Sequence, residues 1–146
     1  MLIAILTALS LGLTPVMIQE APARVSDWHP FSRSSTTVYL ADAGTLVLVE
    51  GATQVKVARV PLSGSDFSHE VDTYAIRCGA REIRFMATSI YDEAGALSDS
   101  YEETLAEWEP MAEGTNYGFL YEVACNEKRS SQGSYPSVTA YIGQTR

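Results

Sequence analysis

Residues 71–91, VDTYAIRCGAREIRFMATSIY, hold two alternating runs separated by Gly79-Ala80-Arg81. In the first, Tyr74, Ile76 and Cys78 alternate with Thr73, Ala75 and Arg77, and in the second Ile83, Phe85, Ala87, Ser89 and Tyr91 share one face. Side chains on extended backbone point alternately to opposite sides, so each run predicts a half-buried strand and the Gly-containing stretch a turn. The second strand ends at Asp92-Glu93-Ala94-Gly95, another turn sequence.

Toward the amino end the same grammar continues. Segments 36–40 (TTVYL) and 45–50 (TLVLVE), flanking Ala41-Asp42-Ala43-Gly44, read as a hairpin. Gly51-Ala52-Thr53 turns or bulges the chain before a third strand through Val55, Val57 and Val60. Segment 62–70 (LSGSDFSHE) reads as a polar loop, and residues 24–35 as a flexible leader with Trp28 its candidate anchor on the core. Toward the carboxyl end, 96–110 is acidic and reads as an irregular excursion or one more strand. At Thr115 the period changes. Tyr117, Leu120, Tyr121 and Ala124 fall on one helical stripe, Thr115 is a capping residue, and Lys128 and Arg129 suit a helix carboxyl end. Gly118 lowers helix propensity by about 1 kcal/mol relative to Ala, which keeps a strand over 119–124 as the alternative. Residues 130–136 read as a loop, and 138–142 (VTAYI) as an edge strand or a frayed end. The fold class is α+β: a small antiparallel β-sheet of five to six meandering strands packed against a C-terminal α-helix. The domain runs over 36–129 and a tail over 130–146.

Residues 1–13 (MLIAILTALSLGL) are apolar or small, too short a run for a stable membrane anchor, and Ala21-Pro22-Ala23 offers the small residues read by signal peptidase. Residues 1–23 are therefore expected to be an export signal, leaving no transmembrane anchor after cleavage. Cys78 and Cys125 are the only cysteines. An oxidising compartment favours their pairing over two buried free thiols, and a loop of this size restricts the unfolded chain by about 4 kcal/mol on the entropy model. On the helical reading, the bond clamps the helix to the strand bearing Cys78. The spacing is no Cys-x-x-Cys motif and suggests no redox catalysis.

Formal charge is −8, unevenly spread: no Lys or Arg occurs from Phe85 to Glu127, a stretch with ten acids. Such a surface disfavours nucleic acid and anionic lipid and is compatible with basic protein ligands, while a solvated face that keeps an exported protein soluble is the simpler account.

Taken in order, the hairpin-forming amino half, Tyr74-x-Ile76-x-Cys78, a strand with Arg81 and Arg84 ending at Tyr91-Asp92-x-x-Gly95, Trp108-x-Pro110, Gly114-Thr115 and Val123-Ala124-Cys125 resemble the surface-adhesin protein E family across residues 38–125. The resemblance implies a small antiparallel sheet packed by a carboxyl-terminal helix, a strand-to-helix disulfide, and export in a Gram-negative bacterium to the periplasm or cell surface. Members named as adhesins bind host matrix and serum proteins. This chain carries no cysteine after its apolar run for lipid attachment.

No residue is assigned a catalytic, cofactor-binding or metal role, and no cofactor is expected. His69, in Ser68-His69-Glu70-x-Asp72, is the better placed of two histidines, but neighbours on extended chain point apart, so a polar surface loop is the simpler account. The isolated glycines suit turns rather than a phosphate loop. The expected function is an exported non-enzymatic binding or envelope-associated module, meeting a protein or cell-envelope ligand through residues 92–113, with Tyr101 and Trp108 as the candidate contacts. A structural or stress-related periplasmic protein without a ligand, and a small hydrolase centred on His69, are the alternatives. Nothing in the sequence specifies an oligomeric state.

Overall fold

A computed structural model describes residues 22–146; the expected export signal lies outside them apart from Pro22 and Ala23. The two alternating runs form the central hairpin: β5 (His69–Arg77) and β6 (Glu82–Tyr91) pair antiparallel from His69↔Tyr91 to Arg77↔Glu82. Around it stand β1 (Trp28–Arg33), β2 (Thr37–Asp42), β3 (Val47–Val49), β4 (Ala52–Pro61), β7 (Leu97–Glu102) and β8 (Glu109–Pro110). The sheet order is β1-β2-β4-β5-β6-β7, with β3 on β4 and β8 on β6. Two helices follow, α1 (Asn116–Cys125) and α2 (Val138–Thr145). The architecture is α+β, a meander with one inserted hairpin.

The helices cover opposite faces of the sheet. Val38, Leu40, Ala58, Val60 and Val71 pack with Trp28 against Val138 and Ile142 of α2. Ala41, Val55, Val57, Ile76 and Ile83 pack with Met111 against Leu120 and Val123 of α1. Even positions of β2 and β4 thus meet one helix and odd positions the other, as the two-residue strand period requires.

Five expectations are corrected. Ile83, Phe85, Ala87, Ser89 and Tyr91 do not share one face: the β5–β6 register shifts between Thr73↔Ala87 and Tyr74↔Phe85, leaving Met86 unpaired as a bulge, so Ile83 packs on the α1 side and Tyr91 on the α2 side. Segments 36–40 and 45–50 do not pair; β2 lies between β1 and β4, while β3 pairs β4 through Val49↔Ala52. The cause is where the turns form. The Asp42 carboxylate accepts the Gly44 N–H (3.1 Å) and the Thr45 hydroxyl (2.8 Å), curling the chain after β2. Glu50 (φ 50°) and Gly51 (φ 78°) then make a two-residue loop of positive φ that suits a tight hairpin.

The expected leader contains β1, which forms one border of the sheet. Pro30 has no N–H and so fits an edge strand, and Trp28 exchanges both backbone hydrogen bonds (2.9 and 3.0 Å) with Tyr135. The expected edge strand at 138–142 is instead α2, capped by the Ser137 hydroxyl, which accepts the Ala140 N–H at 3.0 Å. Val138 and Ile142, four residues apart, bury the same helical face. Lastly, His69 is buried at the start of β5 rather than exposed in a loop.

The α1 helix forms as its stripe predicts, with Thr115 Oγ1 accepting the Gly118 N–H (3.2 Å) and Arg129 donating to the carbonyl of Val123 (3.0 Å) beyond the last turn. Gly118 is required for packing: a Cβ there would stand 2.3 Å from the carbonyl oxygen of Ala112. Cys78 and Cys125 are bonded, with Cα atoms 5.7 Å apart, and the Tyr121 hydroxyl donates to the Cys78 carbonyl at 3.0 Å. The clamp joins the β5–β6 turn to the end of α1.

Candidate functional site

The open border opposite β1 is built by the acidic segment. All six residues of β7 are exposed, and β7 pairs only with the far half of β6, Ala87↔Glu102 to Tyr91↔Leu97. β8 continues the same border at Glu82↔Pro110 and Ile83↔Glu109. Tyr101 is 54% exposed and Leu97 59%, apolar surface set among Asp99, Glu102 and Glu103. The Tyr101 hydroxyl donates to Glu103 (2.8 Å), and the Leu105 N–H donates to the other Glu103 oxygen (2.7 Å). The Leu105 amide first, and then the phenol, hold the Glu103 carboxyl below its ordinary range; the same hydrogen bond raises the Tyr101 phenol. The ring is thereby presented with its hydroxyl committed and a carboxylate beside it.

Trp108 occupies a different station. Tyr101 lies opposite Thr88, whereas Glu109, next to Trp108, lies opposite Ile83. The Trp108 ring is half-buried under two guanidiniums, with Arg77 Cζ at 3.9 Å and Arg84 Cζ at 4.8 Å from its centroid. Its π-face is therefore engaged within the chain, and the structure does not bring the two aromatic candidates together.

Around His69 the side chains diverge. His69 Nδ1 donates to the Phe67 carbonyl (2.7 Å), the ring stacks on Tyr91 at 4.5 Å, and burial holds the imidazole below its ordinary value. Ser68 donates instead to Asp66. Glu70 and Asp72 turn to Arg59, which forms an ion pair with each; its Nε lies 2.8 Å from Asp72 but is not aligned as a donor, so that part of the contact is Coulombic. Tyr74 donates to Asp72 (3.3 Å), and burial, followed by the Asp72 charge, raises its phenol. No nucleophile, base and orienting acid converge here. Among the described residues, no three His, Cys, Asp or Glu groups gather as metal ligands would.

Sequence reading missed this Arg59 network, although a signal existed. Asp72 is in phase with Tyr74 and Ile76, and Arg59 with Val55 and Val57, so two inward-facing runs each end in a charge of opposite sign.

No curated protein and no solved structure matches the chain. Residues 28–126 match the family model described as Surface-adhesin protein E. The match opens on the first residue of β1 and closes on Asn126, the cap of α1, so it takes in the whole sheet, α1 and the disulfide. The chain belongs to the surface-adhesin protein E family.

Proposed function

We propose that this protein is an exported, non-enzymatic binding module that meets a protein or cell-envelope ligand at the β7 border, with Tyr101 as its central contact. Family membership supports a surface-adhesin-like role. The observation that carries the choice of surface is the full exposure of β7, a strand with one unpaired border and two large apolar side chains. Acidic neighbours discourage pairing between copies of this edge and favour an extended basic segment. Trp108 supports the border from behind, its ring held by Arg77 and Arg84.

The test is binding of the exported chain to a panel of envelope and extracellular proteins by surface plasmon resonance. Tyr101→Ala is expected to weaken the captured ligand by about tenfold. Trp108→Ala is expected to act less, through loosening of β8. Binding unchanged in Tyr101→Ala removes this surface.

A further inference from the structure

A cleft of about 840 Å³ lies at the other border, along β1 between α1, α2 and the 128–132 segment. Its floor and walls include Val38, Val60, Phe119 and Tyr141. Its charged side chains are Arg33, Lys128, Arg129 and Arg146, and no Asp or Glu lines it. Four of the ten Lys and Arg residues of a chain with net charge −8 are thus gathered at one site. Two of them already have partners. Arg129 donates to the Val123 and Lys128 carbonyls and lies near Asp27, while Arg146 donates to the Pro61 and Asp66 carbonyls. Among the described residues, Arg33 and Lys128 form no ion pair.

We propose that this cleft binds a single-chain amphiphile with an anionic headgroup, such as a long-chain carboxylate, with the headgroup held by Arg33 and Lys128 and the chain laid on the Val38, Val60 and Phe119 surface. The size suits a small molecule, since ligand cavities typically span roughly 300–1,000 Å³. A cation pair without acids selects an anion, and the apolar floor selects a hydrocarbon chain over a free inorganic anion. An added peptide strand is a poorer occupant: Pro30 offers no N–H, the β1 register breaks between Pro30 and Ser32, and Tyr135 already takes both backbone groups of Trp28. The acidic character of the whole chain does not oppose this, because no Asp or Glu lines the cleft and the acids from Asp92 to Glu109 belong to the opposite border of β7 and β8.

Isothermal titration of the exported chain with dodecanoate, kept below its micelle concentration, is expected to saturate at one molecule per chain. Acetate should show no saturable binding, and dodecyltrimethylammonium should bind at least about tenfold more weakly. The double variant Arg33→Gln, Lys128→Gln should weaken dodecanoate by about tenfold or more, whereas Lys56→Gln, which removes an exposed charge outside the cleft, should leave it unchanged. Phe119→Ser, at a side chain 44% exposed, tests the apolar wall without disturbing the core and should weaken binding as well. Absence of saturation, equal affinity for the two amphiphiles, an unaltered double variant, or saturable binding of oligoglutamate in place of dodecanoate would overturn the proposal.

Discussion

Asp42 has no solvent exposure, and its oxygens accept the Asp27 N–H (2.8 Å), the Gly44 N–H and the Thr45 hydroxyl. One carboxylate thus ends β2, shapes the following turn and ties down the chain before β1. Asp42→Ala leaves those donors unpaired and is expected to lower stability by about 2–4 kcal/mol in urea denaturation. His69 makes a second prediction at this scale. Burial places its folded-state pKa below the ordinary 6.5, so the unfolded chain takes up a proton first as pH falls through that region. Stability is therefore retained above pH ~6.5 and declines below it, down to the folded pKa. His69→Phe keeps a ring on Tyr91 without a titrating group, and its melting temperature should fall less than wild type between about pH 7 and 5. Parallel curves would refute the assignment. Neither burial was legible in the sequence: Asp42 sits in a turn-like ADAG and His69 ends a polar LSGSDFSH run, and composition of the neighbours says nothing of what folds over them.

The elements read best were those long enough to show a period. β5 alternates over nine residues and α1 repeats its stripe over ten, and both formed where the pattern placed them; β6 formed over its expected ten residues, but with its alternation broken at Met86. β1 and α2 span six and eight residues and contain residues suited to other states, a proline in one and Val-Thr-Ala-Tyr-Ile in the other. For these, packing decides: β1 is fixed by Trp28 and Tyr135, α2 by Val138 and Ile142. Gly118 separates local preference from packing. Propensity alone predicts that Gly118→Ala stabilises α1 by about 1 kcal/mol. The contact with the Ala112 carbonyl predicts the reverse sign, a loss of about 1–3 kcal/mol measured by thermal denaturation. The disulfide acts on the same element. Cys78→Ser with Cys125→Ser should cost up to about 4 kcal/mol and raise amide exchange in α1 ahead of β4 and β5, because the covalent tie to the β5–β6 turn is lost and the Tyr121 hydrogen bond and the Arg81 contact with the Tyr121 ring are left to hold the helix there.

At the scale of the molecule, one sheet is shared by two apolar layers, so neither helix can be loosened without exposing a face of the same strands. Leu120→Ala and Ile142→Ala, on opposite sides, should each cost about 2–5 kcal/mol and preserve a single cooperative unfolding transition by calorimetry. Charge follows the same plan: acids line the β7 border, and a cation-lined cleft follows the β1 border. Sequence reading located the acidic border, whose residues are contiguous, and missed the cleft, whose cations come from residues 33, 128, 129 and 146 and meet only through folding. The pairing of Trp28 with Tyr135 also sets a timetable. A chain that emerges amino end first presents β1 long before Tyr135, which must fasten its outer side at Trp28. The first strand made is thus among the last to be secured, and through that interval a chaperone can hold the chain by the border that the finished molecule closes.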